Sequence, residues 1–166
     1  MTNIALVCLD GYQIADVLES VRSTLAAETT WLITHVRDTR SLDEAERALG
    51  GLLGRGPGRR HARQHLRHVV EASEDEVRDE AARWLRRAGI SAEMLVAEGR
   101  PEREIVRVAE ERSVATIVLG GGRGLPGRYP GKGHFPLSPV ARFVVDHARC
   151  DVLLLRRYLA AADRQA

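Results

Sequence analysis

The chain has 166 residues, 44% of them apolar and 29% charged, with a formal net charge of +2. This length and composition fit one globular domain with a sizeable core, and they exclude a disordered or fibrous chain. So small a basic excess also argues against a dedicated nucleic-acid binder. No stretch approaches the roughly 18 consecutive apolar residues that a membrane span requires. The N-terminal "MTNIALVCLDGY" has neither a basic leader region nor a cleavage-site pattern. The only two cysteines, Cys8 and Cys150, lie in or beside apolar runs. Together these features read as a cytoplasmic protein with reduced thiols.

In chain order, "NIALVCLD" (3–10) is a near-continuous apolar run closed by Asp-Gly, the pattern of a strand buried on both faces. Ile14, Val17, Leu18, Val21 and Leu25 follow at helical spacing. "TWLITHVRD" (30–38), rich in β-branched and aromatic residues, predicts a second strand. Ser41 and Glu44 have capping-box spacing and predict a helix start. The break "GRGPGRR" leads into a long pattern over 59–88, with a narrow apolar face that includes Val77, Ala81, Trp84 and Leu85 and with Gly89 as its C-cap. "SAEMLVAEG" (91–99) predicts a third strand. Pro101 opens the next helix, "VATIVLGG" (114–121) is a fourth strand, and "SPVARFVVDHAR" is a helix with Val140, Phe143, Val144 and His147 on one side. "DVLLLRR" (151–157) is a fifth strand. Strands alternating with helices predict a parallel sheet covered on both faces, with ligands bound at the carboxyl ends of the strands where strand order reverses.

Four stretches carry a resemblance: "LVCLDG", "ITHV", "EGRPEREIVRVAEERSVATIVLGGGRG" and "VARFVVDHARCDVLLL". Together they resemble the universal stress protein family, over roughly residues 3–156. The resemblance implies one universal-stress-like domain across 1–166, with 50–72 as a flexible insertion and 158–166 as a tail. It implies a three-layer, doubly wound α/β fold with five parallel strands in the order 3-2-1-4-5, similar to the adenine-nucleotide α-hydrolases, and a homodimer formed through the last strand. Members that bind ATP carry Gly-x-x-Gly, nine residues, then Gly-Ser or Gly-Thr after the fourth strand. Others bind no nucleotide.

Carried across, the resemblance makes Asp10 and Val36 the contacts for ribose and base. Leu119 and Gly120 match the end of the fourth strand, and Gly120, Gly121, Gly124, Ser138 and Val140 match the phosphate-binding segment. The ligand implied is ATP or a related adenine nucleotide, with magnesium accompanying it. This chain departs from the pattern in three ways. Cys8 stands where the family often has proline, Ser138-Pro139 replaces the closing Gly-Ser, and the loop is about five residues longer. The spacing also admits two registers, since three residues beyond Gly120 is Arg123 and three beyond Gly121 is Gly124.

Read from its own chemistry, the segment 120–138 is rich in Gly and Pro and carries Arg123, Arg128, Lys132 and His134. Glycines let backbone N–H groups approach a phosphate, and a helix start at Ser138 adds donors. The alternative is an empty, solvated loop. Asp10 likewise reads as a ribose contact or as an ordinary Asp-Gly turn. His61, His65 and His68 share a helical spacing, but neighbouring arginines and the absence of nearby carboxylate or thiol ligands make them a solvated basic face rather than a metal site. Trp31 and Trp84 read as core or interface anchors, and His35 and His147 as partly buried groups at element ends. "GRYPGKG" lacks the P-loop spacing, no G-x-G-x-x-G follows the first strand, and no nucleophile elbow is present. The expectation is a regulatory protein with at most incidental, slow ATP hydrolysis. The runner-up is a dimeric interaction module that binds no nucleotide.

Overall fold

The computed structural model describes residues 3–9, 14–40, 47, 74–120 and 137–155. Its five strands are β1 (Ile4–Leu9), β2 (Thr30–Asp38), β3 (Ala92–Gly99), β4 (Thr116–Gly120) and β5 (Asp151–Leu155). All pair in parallel in the order β3-β2-β1-β4-β5. The α/β architecture and the strand order are those expected from the sequence. β1 is central, which accounts for its unbroken apolar run: Ala5, Leu6 and Val7 are wholly buried because both faces of a parallel sheet are covered.

Side chains alternate across each strand, so the same run feeds two cores. On one face Val7, Leu9, Trp31, Ile33 and Val118 meet α1 (Ile14–Thr24) and α2, the helical residues 74–88. α1 contributes Ile14, Leu18 and Val21, spaced four and three apart, and α2 contributes Val77, Ala81, Trp84 and Leu85. Trp31 and Trp84 stack with ring centroids 6.4 Å apart, which makes them core anchors that tie β2 to α2. On the other face Leu6, Leu32, Ile117 and Leu119 meet α3 (Pro101–Glu111) through Ile105, Val108 and Ala109, and α4 (Pro139–His147) through Ala141 and Val144.

The helix ends follow local chemistry. α2 stops at Gly89, whose φ of +67° is a conformation glycine adopts without steric penalty. Gly89 N–H donates to Arg86 O and Ile90 N–H to Leu85 O, the paired bonds of a Schellman ending. Pro101 and Pro139 occupy first-turn positions where no intrahelical donor is lost. Residues 39 and 40 are helical, with the Arg40 N–H donating to Asp38 Oδ1 at 3.0 Å, and the helix start expected at Ser41 and Glu44 lies outside the described residues. One local expectation is corrected. His147 is exposed, not partly buried; it lies against Phe143 with its Nδ1 2.8 Å from the Phe143 carbonyl. Residues 50–72 and 158–166, expected as insertion and tail, lie outside the described residues.

Cys8 belongs to the second core, and burial pushes its thiol well above the ordinary value. Burial also raises the Cys150 thiol. Both stay neutral at physiological pH and neither is an activated nucleophile.

Two predictions follow from this packing. Trp84→Ala should lower unfolding stability by about 3–5 kcal/mol in urea denaturation, because it removes both the stack and the volume between β2 and α2. A loss below about 1 kcal/mol would contradict the packing described. The Cys8 thiol ionises more readily in the unfolded chain than in the folded one. Its contribution is therefore constant below the ordinary thiol value of 9.0 and declines above it, by at most about 1.4 kcal/mol per pH unit. Stability measured from pH 7 to 10.5 should thus fall more steeply for the wild type than for Cys8→Ala. Parallel curves would show that the thiol is not desolvated.

Candidate functional site

β1 lies between β2 on one side and β4 on the other, and the helix that follows β1 packs on one face of the sheet while the helix that follows β4 packs on the other. Such a reversal leaves a crevice at the carboxyl ends. A cavity of 320 Å³ opens there. Cys8 and Leu9 come from β1, Thr34, His35 and Val36 from β2, and Leu119 and Gly120 from β4. Pro101 and Ile105 of α3 form one wall. Ser138, Val140 and Ala141, at the start of α4, form the other.

Strand register builds the floor. Cys8 pairs with Thr34 on one side and with Leu119 on the other, so these three side chains stand in one row across three strands. Val36 is two residues beyond Thr34 and shares its face. His35 points the other way. Its Nδ1 lies 2.9 Å from the Leu9 carbonyl oxygen, which can only accept, so the ring donates from Nδ1 and ties β2 to β1 at the crevice. The Ala141 N–H donates to Ser138 Oγ at 3.0 Å, which makes Ser138 the N-cap of α4.

The described lining residues include no Asp, Glu, Lys or Arg, and the described ion pairs nearby sit at the rim. Arg40 reaches Asp38 at 3.2 Å and Glu102 at 3.0 Å, bridging the end of β2 to the first turn of α3. Arg37 pairs with Glu74, linking β2 to α2. A second cavity of 230 Å³ on the α2 face is bordered by that pair and by Asp75 and Arg78, which pair with each other at 2.7 Å. Among the described residues, no group of three His, Cys, Asp or Glu side chains is placed to hold a metal ion. No helix among them is long and apolar enough to cross a membrane.

One polar atom in the floor has no partner. Thr34 is 1% exposed and its Oγ1 makes no hydrogen bond. Leaving a buried hydroxyl unsatisfied costs about 1–3 kcal/mol. Thr29 Oγ1 is also unsatisfied, but it precedes β2 at the opposite end of the strand.

Of the site residues expected from the sequence, Val36, Leu119, Gly120, Ser138 and Val140 meet around this one cavity. Asp10, Gly121 and Gly124 lie outside the described residues, as do Arg123, Arg128, Lys132, His134 and the histidines at 61, 65 and 68. Sequence reasoning missed Cys8, Leu9, Thr34, His35, Pro101, Ile105 and Ala141 as lining residues. The signal for Thr34 was available: strand alternation puts it on the same face as Val36. Pro101 and Ile105 needed knowledge of how α3 crosses β2.

Against this geometry, a model of the universal stress protein family matches residues 1–156. No curated protein sequence gives a significant match. Solved structures with the same fold include the universal stress protein UspA from Lactobacillus plantarum, at 22% identity and TM-score 0.61, covering 93% of this chain and 97% of that one. A universal stress protein family protein from Arabidopsis thaliana with AMP bound aligns at 17% identity and TM-score 0.59, covering 95% and 93%. A universal stress protein in complex with cAMP aligns at 16% identity and TM-score 0.51, covering 93% and 97%. Matched over nearly its whole length, and with the strand order and crevice described above, the chain belongs to the universal stress protein family.

Proposed function

We propose that this protein is a regulatory protein of the universal stress type that binds an adenine nucleotide, with the base and ribose in the crevice between β1, β2 and β4. One observation carries the reading. The described lining of the cavity at the strand-order reversal is mostly apolar and includes no Asp, Glu, Lys or Arg, and the volume of 320 Å³ is at the small end of the range for small-molecule sites. A flat heteroaromatic base suits such a lining, and a charged group does not. The phosphates then extend past Ser138 and Gly120 toward the segment 121–136. The AMP and cAMP bound to the two solved relatives support this ligand class. On this reading Val36 meets the base through its backbone, Asp10 meets the ribose, and Gly121, Gly124 and Val140 belong to the phosphate end. ATP with magnesium would use the same crevice. The residues described include no activated nucleophile, and the role proposed is sensing within the cytoplasm rather than turnover.

A second reading, a dimeric interaction module, is favoured by β5. Among the described residues β5 pairs only with β4, and Val152, Leu153, Leu154 and Leu155 are all only half-buried. An edge strand of that kind readily accepts a second copy.

Calorimetry with AMP, cAMP, ATP and ATP with magnesium at low ionic strength tests the first reading. Saturable heat is expected for at least one of them, and Val140→Trp, which fills the cavity from its half-exposed wall, should weaken that binding by at least about tenfold. A flat trace with all four ligands would leave the interaction module as the better reading.

A further inference from the structure

We propose that Thr34 is the residue through which the cavity recognises the edge of the bound base, its hydroxyl making one hydrogen bond to a neutral purine ring. This rests on the reading that the crevice takes an adenine nucleotide. Of the other polar side chains described in the lining, Ser138 Oγ already accepts from the Ala141 N–H, and His35 Nδ1 is bonded to the Leu9 carbonyl. Cys8 carries a neutral thiol, a weak donor. The Thr34 hydroxyl is wholly buried without a hydrogen-bond partner, and it stands in register with Cys8 in the cavity floor.

Position and chemistry fit this role. Thr34 sits two residues before Val36 on the same face of β2, in the floor where a flat ring would lie. Its methyl and hydroxyl are nearly equal in size, so a turn of χ1 between staggered wells exchanges them without displacing neighbours. A hydroxyl both donates and accepts, and so it can meet either a ring nitrogen or an exocyclic amino group. If the fold alone dictated this position, valine would serve it better, having the same shape without a buried unsatisfied atom.

The test compares Thr34→Val and Thr34→Ser with the wild type, by calorimetry with AMP and with adenosine and by thermal melting without ligand. Thr34→Val should melt at or above the wild-type temperature, yet bind AMP and adenosine about tenfold more weakly, by equal factors. Thr34→Ser, which keeps the hydroxyl, should stay within about threefold of wild type. If Thr34→Val does not fold, Thr34→Ala carries the same comparison. Wild-type affinity in Thr34→Val overturns this inference while leaving the nucleotide reading intact. A loss seen with AMP but not with adenosine also overturns it, since the contact would then be to phosphate. Failure of the wild type to bind either ligand overturns this inference, and it overturns the nucleotide reading as well if cAMP and ATP also fail to bind.

Discussion

The molecule depends on β1 being hydrogen-bonded along both edges, to β2 on one side and β4 on the other. That double pairing requires a strand apolar on both faces, which "IALVCL" supplies. It also requires a helical layer over each face, since a parallel sheet left bare would expose two apolar surfaces. α1 and α2 cover one face, and α3 and α4 cover the other. The crevice is a by-product of the same arrangement. The helices that follow β1 and β4 pack on opposite faces of the sheet, and the first turns of α3 and α4 wall the space between the strand ends.

The polarity of the site follows from where charge can be held. Cys8, Thr34 and Leu119 form a floor inside the second core, where an ionised group would be heavily penalised. The ionic contacts sit at the rim, where Arg40 bridges Asp38 and Glu102 and so fastens the Pro101 wall to β2. Its guanidinium is partly exposed, so its value lies in fixing geometry more than in adding stability. Among the described residues, the result is a mostly apolar pocket with ion pairs at its margin. That arrangement is the one the proposed function relies on, with the flat, uncharged part of a ligand inside.

Sequence patterns made the architecture readable because periodicity reports burial directly. The run at 3–10, the alternation at 30–38 and the helical spacing around Trp84 each had one structural solution. Val36, Leu119, Gly120, Ser138 and Val140 could be placed at one site because the family resemblance supplied the pairing of distant strand ends. Local signals were less decisive. Asp38 accepts from the Arg40 N–H just ahead of Ser41, a contact that the capping-box spacing did not announce. His147 looked like part of an apolar stripe, but the stripe runs through Ala141 and Val144, one position further round the helix. Thr34 was overlooked because a threonine in a strand ordinarily signals β-propensity. Only the register with Cys8, and the absence of any partner for its hydroxyl, mark it as different.

The most direct test of the account is a backbone amide NMR titration of the full chain with AMP. If the crevice at the β2–β1–β4 reversal is the binding site, the shifts will concentrate at Cys8 and Leu9, Thr34 to Val36, Leu119 and Gly120, and Ser138 to Ala141. The α2 face around Val77 and Trp84 will stay unchanged. Shifts centred on α2 or on β5, with the three strand ends unaffected, would contradict it.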